Sequence, residues 1–371
     1  MKPVAEVFVC GAGHQGLSMA AHLALNGVKV NLYNRTFSHI QEIAATGKIH
    51  CSGIVNGDAE INKISSDISD VVSDFIMVTT PSSAHRDIAR TIAPYVHKDM
   101  FIILNPGRTF GAVDFAEELK KSGIKEMPHI AETQTIVYTC RRTSADSACI
   151  LALKNDVKIA SIKGNDIDEI MSAMPDCLKP YFNSVDSTAL TSLSNVGMVL
   201  HCAPVMMNVG WIESDKVDFK YYYDGISKSV AHFLEKIDAE RCAVASALGY
   251  KVETLVEWFK RTYGVQGNTI FECIRNNDAY KAIDAPPTLN TRYVFEDIPN
   301  GLVPIETIGA ELGVSTKNIT TITDEARSII VVIFLVFTPS SAPIVSMGTR
   351  PFGISSKIYL VFSVGGASIS L

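Results

Sequence analysis

The sequence lacks the features that mark stapled, metal-dependent or nucleic-acid-binding chains. Its eight cysteines are scattered singly, with no Cys-x-x-Cys pair and no histidine cluster at zinc-ligand spacing. Neither a disulfide framework nor a metal site is therefore expected. A net charge of -6 argues against a general nucleic-acid binder and leaves small molecules as the expected partners. Residues 1–6 run straight into an apolar strand with no basic stretch and no small-residue cleavage site. No signal peptide is expected, and a reducing, cytoplasmic setting fits the cysteines. The apolar run at residues 329–337 stops well short of the roughly 20 residues a membrane helix needs. It reads as a buried strand or an interface segment, so no membrane partner is expected. No internal repeat is present.

What is there suits two domains: 371 residues, 47% hydrophobic and 19% charged, the composition of an ordinary globular protein. Residues 4–10 form a β-branched apolar run that ends at glycines. Residues 17–25 continue with helical spacing of Leu17, Ala20, Ala21 and Ala24, Gly27 ends that helix, and residues 28–33 give a second strand. This βαβ unit surrounds Gly11-Ala12-Gly13-His14-Gln15-Gly16. Small residues at those spacings let the backbone turn sharply, approach a pyrophosphate and pack helix on strand, while first-turn amides point at the phosphates. The motif alone is weak, but here it has the context it requires, and a Rossmann domain binding NADP or NAD is expected. At the end of the second strand an acid would mark NAD; Asn34 and Arg35 stand there instead. A guanidinium can grip a 2′-phosphate, which favours NADP, although Arg35 also reads as a solvated surface residue.

Strands at residues 75–79 and 101–104, each followed by a helix (84–92 and 113–121), extend a doubly wound parallel α/β sheet. Thr80 and Pro81, after the first of these strands, and Asn105-Pro106-Gly107, after the second, fall at strand ends that line a cofactor crevice. Pro and Gly also serve simply as turn residues. Further strands are expected at 135–139 and 149–153 and a helix at 166–173, which closes a nucleotide-binding domain over residues 1–186. From there the texture changes to long amphipathic helices at 190–209, 226–247 and 252–262. A loop is expected over 283–304 and a last helix near 305–312, giving a helical domain over 187–328 and an atypical apolar tail over 329–371.

Proton transfer near neutral pH makes histidine the first residue type to examine. His201 lies in an apolar helix at the start of the second domain; such a residue is either a satisfied core histidine or a catalytic one. Three segments bear on the choice. They are Leu193-Ser194-Asn195-Val196-Gly197-Met198 leading to His201, then Tyr222-Tyr223-Asp224-Gly225-Ile226-Ser227, and the Arg-Tyr-x-x-Glu-Asp-x-Pro-x-Gly-Leu-x-Pro pattern from Arg292 to Pro304. Together they resemble the octopine/nopaline (opine) dehydrogenase family, from the first strand to about Val314.

The resemblance implies a Rossmann domain followed by an all-α opine dehydrogenase domain, with the reaction in the cleft between them. It implies an enzyme that joins an amino acid to a 2-oxo acid such as pyruvate and reduces the product to a secondary amine. His201 then corresponds to the catalytic acid/base and Asp297 to its carboxylate partner, with Arg292 near the substrate carboxylate. Gln134 corresponds to a polar substrate residue from the first domain, or else makes a hydrogen bond within the sheet. The sequence departs from the family after about Ala326, where relatives continue with a polar helix: either this segment has diverged, as into a homodimer contact, or a reading-frame error has replaced it. A simple 2-oxo acid reductase or 3-hydroxy acid dehydrogenase, and a non-enzymatic dinucleotide sensor, are the competing readings. The first would turn over without an amino acid, and the second would bind cofactor without turnover.

Overall fold

A computed structural model describes residues 2–214, 218–337, 361–364 and 367–370. The chain divides into two compact units, Met1–Ser192 and Leu193–Leu371.

The first unit is built on strands β1 (Glu6–Cys10), β2 (Lys29–Tyr33), β3 (Lys48–Gly53), β4 (Gly57–Glu60), β5 (Lys63–Ser65), β6 (Phe75–Val78), β7 (Phe101–Leu104), β8 (His129–Thr133), β9 (Tyr138–Arg142), β10 (Ser147–Leu153), β11 (Val157–Ser161) and β12 (Phe182–Ser184). Eight of these form one sheet in the order β12-β11-β8-β7-β6-β1-β2-β5. From β5 to β8 neighbours run parallel, and β11 pairs antiparallel with β8. Such a sheet must be apolar on both faces, and the strands alternate accordingly. Val7, Val9, Phe75 and Met77 enter one core, while Phe8, Cys10, Ile76 and Val78 enter the other. Helix α1 (His14–Leu25) belongs to the first core; α2 (Gln41–Thr46) follows β2, and α3 (His85–Ile92) and α4 (Gly111–Lys121) cover the second. Two more, α5 (Ile167–Ala173) and α6 (Thr188–Leu193), follow β11 and β12.

The remaining strands form a second sheet, β4-β3-β10-β9, packed over α1. The expected strand at 135–139 is displaced by three residues: Thr133 closes a turn by donating its hydroxyl to the Thr135 carbonyl, and pairing starts only at Tyr138. In this sheet β10 matches the strand expected at 149–153, while β3 and β4 were not expected, because they are short and partly exposed and carry weak alternation.

The second unit is helical: α7 (Gly197–Met207), α8 (Val209–Ile212), α9 (Lys228–Ala247), α10 (Leu255–Tyr263), α11 (Ile270–Arg275), α12 (Val303–Glu311) and α13 (Lys317–Phe337). The continuous helix expected over 190–209 is cut into α6, α7 and α8. Asn195 interrupts it by accepting from the Gly197 amide at 3.0 Å, and Asn208 ends α7 by donating to the Pro204 and Gly225 carbonyls. These are the local side-chain bonds by which asparagine competes with helix. The window Thr188–Met207 has the length and hydropathy (1.3) to cross a membrane, but 67% of it is buried in the fold, as in a core helix. The loop expected over 283–304 is corrected in its second half: Tyr293–Leu302 is a wide π-helical run that continues into α12. Its apolar residues Val294, Ile298 and Leu302 repeat every four and are fully buried, which outweighs the Pro and Asn content.

The tail reading is also corrected, since residues 329–337 end α13 and are not a strand. Beyond it β13 (Val361–Val364) and β14 (Ala367–Ser370) pair antiparallel; residues 338–360, in the tail expected as a dimer contact, lie outside the described residues.

Candidate active site

In the first unit the topology concentrates polar atoms at one place. The chain leaves β1 for β2 on one side and returns to β6 on the other, so the C-terminal ends of β1 and β6 flank a switch point, where open α/β sheets bind ligands. The Gly11–Gly16 turn and the Thr79-Thr80-Pro81 loop meet there. Gly11 has φ +114°, and a Cβ would press on the Thr80 side chain at 2.9 Å. At Gly16 a Cβ would collide with the Gly11 carbonyl oxygen, so α1 packs against the strand end only because that position is glycine. A Cβ at Gly13 would meet nothing within 4 Å, so this face of the turn is open. Neither a side-chain cap nor an acid sits at the start of α1, which leaves the first-turn amides available to an anion.

Three buried side-chain atoms around this crevice lack protein partners: Gln15 Nε2, Thr80 Oγ1 and Asn105 Oδ1. Buried polar atoms are rarely left so without a ligand or water to satisfy them. A glycine cradle with open space, uncapped amides and orphaned polar atoms fits a dinucleotide. Ala12 donates its amide to Asn34 Oδ1 at 3.2 Å, so Asn34 holds the turn as well as ending β2. Arg35 is exposed beside it. His14 Nδ1 accepts from the Arg142 amide at 2.7 Å, and the Arg142 guanidinium donates to the carbonyls of Ala12, His39, Ser144 and Ala145. Arg142 thus ties the turn to the second sheet. Nothing in the sequence singles it out, because its partners Ala12, His14 and His39 lie 103 to 130 residues away.

Gln134 directly follows β8 and is buried, and its backbone N–H donates to the Lys158 carbonyl at 2.9 Å. Two residues earlier Glu132 is fully buried. It accepts from the Ala112 amide (2.9 Å) and the hydroxyls of Thr191 (2.7 Å) and Ser192 (2.6 Å). Burial outweighs these three donors and pushes its carboxyl up to about 7.

In the second unit α7 and the π-helical run pack closely; a Cβ on Gly301 would touch Met198 Cβ at 2.9 Å. This approach brings His201 and Asp297 together: Nδ1 lies 2.7 Å from Oδ2, and the carboxylate is 1% exposed. A carboxylate accepts only, so Nδ1 carries the proton and Nε2 is left for proton exchange. Nε2 lies 3.1 Å from the Tyr222 hydroxyl. Tyr293 stacks on the imidazole at 4.2 Å between centroids, and Tyr221 donates to the His201 carbonyl at 2.6 Å. Arg292 is exposed, with its guanidinium 5.6 Å from the centroid of the Tyr293 ring. Burial pushes the Tyr293 phenol up, and the Arg292 charge draws it partly back. His201, Asp297 and Arg292 therefore share one site, floored by tyrosines. The sequence reading missed the roles open to Tyr222 and Tyr293, although both lie in the segments that carry the family resemblance.

Comparison with known proteins gives the family. Residues 184–330 match the model described as NAD/NADP octopine/nopaline dehydrogenase, alpha-helical domain, and residues 7–107 match that of ketopantoate reductase PanE/ApbA. The chain is 36% identical over 329 residues to an opine dehydrogenase of Arthrobacter sp. (strain 1C), covering 87% of this chain and 90% of that protein. The chain belongs to the opine dehydrogenase family. It is an NAD(P)-dependent oxidoreductase of that family, whose reaction is the reductive joining of an amino acid to a 2-oxo acid. The fold agrees: an octopine dehydrogenase solved with NADH and agmatine superposes with TM-score 0.77 at 18% identity, covering 88% of this chain and 90% of that one. A yersinopine dehydrogenase solved with NADP+ superposes with TM-score 0.74 at 13% identity, covering 90% and 92%.

Proposed function

We propose that His201 is the acid/base of the reductive condensation, that Asp297 orients and charges it, and that Arg292 holds the 2-oxo acid, pyruvate or a close analogue, by its carboxylate. The observation that carries the reading is the 2.7 Å bond between His201 Nδ1 and a fully enclosed Asp297 carboxylate. A buried carboxylate stabilises the imidazolium, so Nε2 can hold a proton near neutral pH, give it up and take it back. The planar guanidinium of Arg292 matches a carboxylate bidentately, and no protein carboxylate is recorded against it among the described residues.

Addition of the amine to the keto carbon needs no net proton, and dehydration to the iminium consumes one. As the amine nitrogen adds to the keto carbon, the carbonyl oxygen takes a proton from the imidazolium side; the surplus proton on nitrogen returns to the imidazole. The proton regained by the imidazole then passes to the hydroxyl, which leaves as water, so His201 ends neutral and the nitrogen keeps its last proton in an iminium. A bound nicotinamide dinucleotide supplies the hydride that reduces the resulting C=N bond. Gly11, Ala12, Gly13, His14, Gln15 and Gly16 would hold its pyrophosphate, with Asn34 and Arg35 at the ribose and Thr80 and Pro81 along the crevice. We read Arg35, with no acid at this strand end, as favouring NADP over NAD. Gln134 is assigned to the substrate side of the nucleotide-binding unit.

A cytoplasmic location is supported by eight scattered cysteines, none of them in a disulfide among the described residues. The apolar sequence from Ile329 onward supports a homodimer, which a light-scattering mass of one chain would exclude. The functional reading is tested with His201→Ala: turnover should be lost while cofactor still quenches tryptophan fluorescence with its original affinity. Undiminished turnover would overturn it.

A further inference from the structure

The acid/base reading leaves one geometric question, namely what lies between His201 and the reacting atom. An imidazole nitrogen offers one in-plane lone pair or one N–H, so the group standing in that direction is the one with which it exchanges a proton. At Nε2 that direction leads to the Tyr222 hydroxyl at 3.1 Å. The phenol is not placed to swing aside. Its ring stacks on Tyr280 at 4.3 Å with planes 23° apart and meets the Tyr221 ring edge-on at 5.1 Å, and the residue is buried. Displacing it would break a packed aromatic cluster rather than rotate a loose side chain.

We propose that Tyr222 is a catalytic residue of the condensation, relaying the proton between His201 Nε2 and the oxygen of the 2-oxo acid. The proposal rests on the reading of His201 as acid/base. In the relay the Nε2–H bond breaks as a new Tyr222 O–H bond forms, and the original phenolic O–H bond breaks as the substrate O–H bond forms. The phenol emerges unchanged and the imidazolium becomes neutral. Burial holds the phenol well above its ordinary pKa, so it passes a proton on without ionising. The Arg292 charge also reaches this phenol. The Arg292 guanidinium lies 5.6 Å from the centroid of the Tyr293 ring that stacks on the same imidazole, which puts the carboxylate-binding group and the hydroxyl around one histidine.

Tyr222→Phe removes only the hydroxyl and keeps both ring contacts. The relay predicts that kcat and kcat/KM fall together by about 100-fold or more, the scale of general acid catalysis, with cofactor affinity unchanged. It also predicts, in the chain without cofactor or substrate, a displaced ¹⁵N resonance for His201 Nε2, because the hydrogen-bond donor is gone. A variant with full kcat and lowered KM would mean that substrate displaces the phenol, and would overturn the relay. So would wild-type kinetics, or an unmoved Nε2 resonance. His201→Asn, run beside it, separates the two claims. If it is inactive while Tyr222→Phe is active, the relay alone fails; if it is active, the reading of His201 fails and the relay with it.

Discussion

Glu132 gives the fold a pH dependence whose size follows from its surroundings. The carboxyl is fully enclosed between β8, the start of α4 and α6, and burial raises it from 4.5 to about 7. The folded chain therefore binds this proton more tightly than the unfolded chain. Between pH 4.5 and about 7 the folded state carries more of it, so stability falls as pH rises through that window and levels off above. At about 1.4 kcal/mol per pH unit the loss amounts to about 3 kcal/mol. Glu132→Gln cannot titrate. Its amide oxygen still accepts from both hydroxyls while the amide nitrogen opposes the Ala112 N–H, a cost of ~1–2 kcal/mol that is the same at every pH. Urea unfolding of both proteins at about pH 5 and about pH 8 separates the two effects. The variant should be less stable at the lower pH and should gain ~2–3 kcal/mol on the wild type at the higher. A stability gap that stays within ~1 kcal/mol between the two pH values would refute the argument that burial outweighs the three donors.

Asp297→Asn keeps the shape but not the charge, and an amide can hold the wrong imidazole tautomer; kcat should drop by ~100- to 10,000-fold with the fold intact by circular dichroism. Arg292→Ala should raise KM for the 2-oxo acid by ~30-fold or more and leave KM for the amino acid within a few-fold, as steady-state kinetics with each substrate varied would read. Arg35→Ser should weaken NADPH by ~10-fold and leave NADH nearly unchanged, measured by fluorescence titration.

The nucleotide-binding half was legible because its signals are local. The run into Gly11, the glycine spacing and the return to Tyr33 each follow from neighbours in sequence. Of the second sheet β10 was legible and β9 only displaced, but β3 and β4 were not, because β3 pairs with β10 across about 100 residues and its last two residues are exposed. In the helical half, His201 and Asp297 were reached through the family pattern rather than through periodicity. They are brought together by a π-helical run that Pro299 and Asn300 disguise as a loop. The break at Asn195 was missed for a related reason: apolar periodicity over 190–209 is nearly continuous, and one side-chain bond to the Gly197 amide decides the boundary. Arg142 acts at the turn through Ala12 and His14, and Glu132 through Ala112, Thr191 and Ser192, partners too far along the chain for one window of sequence to contain.

The most direct test of the account is oxidation of NADPH and NADH with pyruvate, with and without a panel of amino acids, the product mass being read in parallel. The account predicts turnover only when an amino acid is present, a product mass equal to the secondary amine, and loss of both in His201→Ala. Turnover with pyruvate alone, giving the hydroxy acid, would contradict it.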